Sequence, residues 1–266
     1  MRAPLDFSVL DTPELLQFVF YPRSDWPPPP SGASDHMIPV EDGVFVSSRF
    51  YPVDGEAPSI LYFHGNGEVA SDYDDIAPLY HRIRVNLFVA DYRGYGRSGG
   101  KPTFSNMAAD AHRVLAYFLE LQKKEGLIGP IFVMGRSLGS QPAIELAANH
   151  PEKLSGIIIE SGFAHSGPLL GFFGIRVSPE RLGRFERAAI ARIQRITLPA
   201  LIIHGDQDTI VPYEQALLLH ENFGSADKRL ITIPRADHNT ILWAGTQQYF
   251  TSLAEFIQRK TESERG

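Results

Sequence analysis

The chain has 266 residues and a mass of 29.6 kDa, with 43% apolar and 21% charged residues. That balance excludes wholesale disorder, and the length can bury a core without disulfide or metal staples. Zero cysteine excludes disulfides, zinc–thiolate sites, thiolate-held iron–sulfur clusters and a cysteine nucleophile, and fits a reducing, cytoplasmic setting. The net charge of −6 argues against a nucleic-acid partner. The start carries acids and no basic head before an apolar run, and no later stretch has the roughly 18 uninterrupted apolar residues of a membrane span. Neither a secretory signal nor stable membrane insertion is expected, and a small-molecule partner is.

Residues 1–35 read as an N-terminal arm ending in Trp26-Pro27-Pro28-Pro29-Pro30. Four prolines favour an extended segment lying on the fold; a ligand for a proline-binding module is the other reading. From residue 36 to 266 the pattern is that of one domain. His36 to Glu41 and Val44 to Phe50 flank Asp42-Gly43, a strong hairpin signal. Short apolar runs follow at Ile60–Phe63, Leu87–Ala90, Ile131–Met134, Ile157–Ile159, Leu201–Ile203 and Leu230–Ile233. They are continuous rather than alternating, as in parallel strands covered on both faces. Helical spacing is expected over Ser105–Lys124, Leu138–Asn149, Tyr213–Phe223 and Thr240–Gln258. The alternation predicts an α/β fold: one open, mostly parallel sheet of about eight strands with helices on both faces.

One interval is too long for a loop and a single helix. Residues from about 162 to 197 form a short insertion after the sixth strand. It opens on the apolar patch from Pro168 to Ile175 and continues with Arg176, Arg181, Arg184, Arg187, Arg192 and Arg195, offset by Glu180 and Glu186. Two roles are open for these arginines: pairing with acids of the main fold, or receiving an anionic substrate group.

Gly135-Arg136-Ser137-Leu138-Gly139 follows a predicted strand and opens a predicted helix. A serine on such a sharp turn projects its hydroxyl into the cleft, and small flanking residues let the turn close. Serine is a weak nucleophile without a base, and the base needs an orienting carboxylate. Asp208 ends the strand at Leu201–Ile203, and His238 follows the last strand. Asp206 is the alternative acid, with turn capping as its structural role. Among the other histidines, His165 is a weak alternative base, His64 and His204 suit bracing of their loops, and His81, His112, His150 and His220 suit solvated helix positions. For an oxyanion hole the donors are the N–H of Leu138 and, in the loop Phe63-His64-Gly65-Asn66-Gly67, that of Asn66. Gly94-Tyr95-Gly96-Arg97-Ser98-Gly99 matches a dinucleotide fingerprint, but no helix opens from its glycines; a tight loop beside the cleft is expected.

Together with Asp91-Tyr92-Arg93-Gly94-Tyr95-Gly96 and Val211-Pro212, these motifs occur in one order over residues 36–260. They make the chain resemble the α/β-hydrolase superfamily. The resemblance implies the α/β-hydrolase fold with a cap after the sixth strand. It also implies Ser137 as nucleophile, Asp208 as acid and His238 as base. The His-Gly-Asn loop is similar to that of the branch holding depalmitoylase-like, lysophospholipase-like and peptidase-like enzymes. Serine at position 137 differs from the aspartate of haloalkane dehalogenases and epoxide hydrolases. The expectation is a serine hydrolase that cleaves a carboxylic ester or thioester of a small acyl substrate through an acyl-enzyme. No cofactor and no metal are called for. An acyltransferase or peptidase with the same triad, or a non-catalytic binding protein, are the alternatives.

Overall fold

The computed structural model describes residues 5–172, 174 and 178–265. Eight strands form one sheet: β1 (Ser34–Glu41), β2 (Val44–Tyr51), β3 (Ser59–Phe63), β4 (Asn86–Ala90), β5 (Ile131–Arg136), β6 (Gly156–Glu160), β7 (Ala200–Gly205) and β8 (Lys228–Ile233). Their order is β1-β2-β4-β3-β5-β6-β7-β8. β2 runs antiparallel to both β1 and β4, and the other pairs are parallel. The parallel winding starts at β3, moves to β4 on one side and then crosses to β5 on the other. The connections leave these two neighbours in opposite directions, which opens a crevice outside their carboxyl ends.

The helices are α1 (Pro13–Val19), α2 (Ala77–Arg82), α3 (Phe104–Glu125), α4 (Ser140–Asn149), α5 (Gly167–Phe172), α6 (Pro179–Ile193), α7 (Glu214–Asn222), α8 (Ile241–Ala244) and α9 (Thr246–Arg265). Continuous apolar strands feed two cores. Leu61, Val133, Ile157, Ile159 and Ile202 meet α3, α4 and α7 through Val114, Phe118, Ile144 and Leu219. Ile60, Tyr62, Phe132, Ile158 and Leu201 meet α2 and α9 through Tyr80, Tyr249, Leu253 and Phe256. Burying a large apolar side chain stabilises by about 1.5–3 kcal/mol, so these two layers supply the main driving force. Among the described residues, no helix is long and apolar enough to cross a membrane.

The strand expectations hold to within two residues at each end. One helical expectation needs correction, and two helices of the main fold and its arm were not expected. The helix expected over Thr240–Gln258 breaks into α8 and α9 at Gly245, where a Cβ would sit 2.4 Å from Ile233 Cγ2. The sequence reading missed α2, whose six residues span too few turns for a periodic signal. It also missed α1 inside the arm, although Thr12 caps it and Pro13 opens it. Between β6 and β7 lie α5 and α6; Phe173, Ile175 and Arg176 of the expected patch and arginine series lie outside the described residues.

The arm lies against the fold. Asp11 accepts the N–H groups of Phe104 (2.7 Å) and Ser105 (3.2 Å) at the start of α3. Trp26 donates to Asp35 at 2.7 Å and stacks under the buried Arg49 guanidinium, 4.8 Å from its ring centroid. Arg49 also binds Asp35, Asp74 and the Pro27 carbonyl, so the proline segment is tied to β1 and β2.

Candidate active site

The turn after β5 is closed tightly against neighbouring backbone. Ser137 has φ +52°, a conformation that costs a non-glycine residue about 1–3 kcal/mol and persists only when its surroundings enforce it. The two glycines let the surrounding backbone close in and hold it. A Cβ on Gly135 would lie 2.1 Å from the Gly139 carbonyl oxygen, and one on Gly139 2.0 Å from that of Phe63. The serine is thereby pushed out at the carboxyl edge of β5, beside the crevice.

Three side chains from three loops meet there. Ser137 Oγ donates to His238 Nε2 at 2.9 Å, and His238 Nδ1 donates to Asp208 Oδ2 at 2.7 Å. All three are buried. Asp208 Oδ1 accepts the N–H groups of Ile210 (3.0 Å) and Val211 (2.8 Å), and His204 Nε2 lies 3.3 Å from Oδ2. Burial opposes ionisation of Asp208, but the hydrogen bonds from His204 and His238 outweigh it and hold its pKa well below the usual range. The group stays an acceptor and fixes His238 with its proton on Nδ1, leaving Nε2 to take one. The alternative acid, Asp206, accepts the Arg235 N–H at 2.6 Å instead. His165 is held in the insertion by its own N–H to Gln215.

The β3 loop carries a second layer. His64 lies between the Gly65 carbonyl (Nδ1, 2.8 Å) and the Asp91 carboxylate (Nε2, 3.1 Å). Both partners only accept, so both ring nitrogens carry protons. Burial works against that charge, but Asp91 more than compensates and the His64 pKa is raised. His64 and His204 thus brace their loops as expected. His112 and His150 do not stand free in solvent: they bond to each other at 2.8 Å, and His112 reaches Glu145 at 3.3 Å. Glu145 also pairs with buried Arg192, which settles the role of one insertion arginine as an ion pair with the main fold. The 94–99 loop is a tight turn beside the cleft, with α3 starting only at Phe104.

The sequence reading missed Arg136 and Glu68. Arg136 pairs with Glu68 and with Glu160 (3.1 Å), and donates to the His238 carbonyl (2.8 Å) and Asn239 Oδ1 (3.3 Å). Glu68 accepts the Gly65 N–H and the Tyr73 hydroxyl, each at 2.9 Å. One guanidinium therefore ties the serine turn, the β3 loop and the histidine loop together. It occupies the variable position of the serine motif, which carries no signal of this role.

These groups border a cavity of about 420 Å³ lined by Asn66, Leu138, Phe163, Ile210 and, from the arm, Val19 and Tyr21. The size lies within the usual range for small-molecule sites. Among the described residues, no group of three His, Asp or Glu side chains could hold a metal ion.

Fold and site together define a protein of the α/β-hydrolase class with a serine, a histidine and an aspartate joined by hydrogen bonds at the sheet's carboxyl edge. The family described as "Serine aminopeptidase, S33" matches residues 56–170 and 176–242, and the chain belongs to this family of the α/β-hydrolase superfamily. It is 30% identical over 215 residues to protein bem46 of Schizosaccharomyces pombe, covering 75% of this chain and 67% of that protein. It is 32% identical over 211 residues to alpha/beta hydrolase domain-containing protein 17B of Homo sapiens, covering 76% and 67%. The esterase Pf2001 of Pyrococcus furiosus has the same fold, with a TM-score of 0.71 and 21% identity over 90% of this chain and 98% of that one.

Proposed function

We propose that the protein is a serine hydrolase that cleaves carboxylic esters or thioesters. The observation that carries this is the continuous hydrogen-bonded line Ser137–His238–Asp208. His238 Nε2 takes the hydroxyl proton as Ser137 Oγ attacks the acyl carbon. Asp208 stabilises the imidazolium. The negative charge that develops on the carbonyl oxygen is received by the N–H groups of Leu138 and Asn66, and each such donor is worth roughly 2.7–4 kcal/mol. His238 then protonates the departing alkoxide or thiolate, leaving an acyl group on Ser137. Water, deprotonated by His238, releases the acid and restores the serine.

The family description favours weighing a peptidase against this reading. An aminopeptidase needs a free carboxylate to receive the substrate's ammonium group. Among the described residues, Glu68 is the one acid lining the cavity, and it is committed to Arg136. Esters without an ammonium group fit that lining better.

The test is hydrolysis of p-nitrophenyl acetate and butyrate beside an aminoacyl p-nitroanilide, with Ser137→Ala as control. Ester release well above the variant is expected, since loss of a triad serine costs about a million-fold in turnover. Equal release by folded wild type and Ser137→Ala would overturn the reading, and preferential anilide cleavage would replace it with the peptidase.

A further inference from the structure

We propose that the N-terminal arm is a substrate-selecting wall of this site, with Val19 setting its depth, Tyr21 its mouth, and the Asn66 side chain holding both in register. The assignment rests on the ester reading and names the part of the chain that recognises the ester's apolar portion.

The first observation is the clasp. Asn66 Nδ2 donates to the Val19 carbonyl, and Asn66 Oδ1 accepts the Tyr21 N–H at 3.0 Å. Those two backbone groups flank Phe20, which has extended geometry at φ −96° and ψ 125°. One primary amide thus binds the arm as a neighbouring strand would. Alternate side chains of an extended chain point to opposite sides. A slip by one residue would replace Val19 and Tyr21 at the cavity by Phe20. Tyr95 from the 94–99 loop closes the arrangement: its hydroxyl donates to Asn66 Oδ1 at 2.7 Å and accepts the Tyr21 N–H at 2.9 Å.

The second observation is that the arm is pinned on both sides of the clasp. Before it, Asp11 caps α3. After it, Arg23 binds Asp72 at 2.7 Å and the Gly67 carbonyl at 3.1 Å, and its own carbonyl accepts the Gly96 N–H at 2.7 Å. An arm serving only to cover apolar surface has no need to bind the loop that carries the Asn66 N–H.

The third is chemical. Val19 joins Leu138, Phe163 and Ile210 in the apolar part of the cavity wall; Ser137 and His238 lie at its side, and Glu68, Arg136 and Asn239 form its polar part. Tyr21 lines the cavity while remaining 53% exposed, an aromatic edge that the core does not use. A volume of about 420 Å³ lies within the range of small-molecule sites, room for an apolar chain of medium length. The preferred substrate is therefore an uncharged, medium-chain ester rather than an acetate.

The test compares kcat/KM for p-nitrophenyl octanoate and acetate in the wild type, Val19→Trp and Val19→Ala. Filling the cavity should lower the octanoate-to-acetate ratio at least about tenfold, and emptying it should raise the ratio, since each methylene accepted or refused is worth roughly 10- to 200-fold. Hydrogen exchange supplies a readout independent of turnover: the Tyr21 amide should be protected in the wild type and lose protection when both its acceptors are removed in the double variant Asn66→Leu, Tyr95→Phe. Unchanged ratios in both Val19 variants, or a wild-type Tyr21 amide exchanging like a free peptide, would overturn the proposal. Absence of wild-type turnover with every ester would overturn the ester reading itself.

Discussion

Replacing Arg136 by methionine keeps an unbranched apolar stem and removes one charge from the centre of the site. In the folded protein the side chain is only 11% exposed and faces two carboxylates, Glu68 and Glu160, and the His238 carbonyl. Burial opposes its charge, but those carboxylates more than offset it and its pKa is raised. Removing one partner of a buried ion pair costs about 3–5 kcal/mol. Here both carboxylates keep neutral donors: Tyr249 (2.6 Å) and Tyr62 (3.3 Å) for Glu160, and Tyr73 with the Gly65 N–H for Glu68. The lower end, about 3 kcal/mol, is therefore expected. The lost hydrogen bond to the His238 carbonyl adds about 1 kcal/mol. The sum is a large share of the roughly 5–15 kcal/mol that holds a domain folded.

The same network fixes how that cost varies with pH. Burial already raises the Glu160 pKa, with Arg136 and Tyr249 pulling against it. Glu68 is held below its usual value because Arg136, His64 and its hydrogen bonds outweigh burial. Without Arg136 both pKa values rise. A carboxyl with a raised folded pKa destabilises the fold fully above that pKa and progressively less as pH falls through it. Urea unfolding of both proteins should thus give a penalty of about 4 kcal/mol at pH 8 that shrinks on acidification to pH 5.5. A penalty below about 1 kcal/mol at pH 8, or one that grows on acidification, would refute the reasoning.

Asp208→Asn should keep the fold and lower kcat by about ten-thousand-fold, because the amide can hold His238 in the wrong tautomer; an activity within tenfold of wild type speaks against the orienting role. His64→Gln tests the buried imidazolium. Its raised pKa means that its stabilisation is complete below the ordinary value near 6.5 and fades as pH rises through the folded value. Wild-type unfolding free energy should fall from pH 6 to pH 9 more steeply than that of the variant; parallel slopes contradict this. Gly139→Ala should cost about 1–3 kcal/mol and slow labelling of Ser137 by a fluorophosphonate, since the added carbon meets the Phe63 carbonyl. An unchanged Tm together with unchanged labelling counts against the turn's tightness.

The Ser137–His238–Asp208 constellation was legible because each member sits where local pattern and topology coincide. Ser137 lies between a β-rich run and a helix, and Asp208 and His238 lie just past strands whose apolar runs are continuous. Asn66 was legible only for its backbone, because glycines on both sides mark the loop; its side chain's work on the arm depends on a partner 47 positions away. Arg136 and Glu68 escaped for the same reason. Their meaning comes from convergence across 68 positions, and neither interrupts a pattern. The arm's helix and its contacts with the β3 loop escaped because α1 has only seven residues and its buried Leu15 and Val19 fall short of a periodic signal. The break at Gly245 was hidden because a lone glycine is tolerated in a helix, and only Ile233 from β8 makes it a requirement.

The most direct test of the account is to trap the acyl-enzyme. Wild-type protein mixed with p-nitrophenyl butyrate, quenched in acid within the first turnover and digested, should carry a butyryl group on the peptide holding Ser137. His238→Ala treated alike should carry none. Turnover of the ester without acylation of Ser137, or acylation at another residue that persists in Ser137→Ala, would contradict the account.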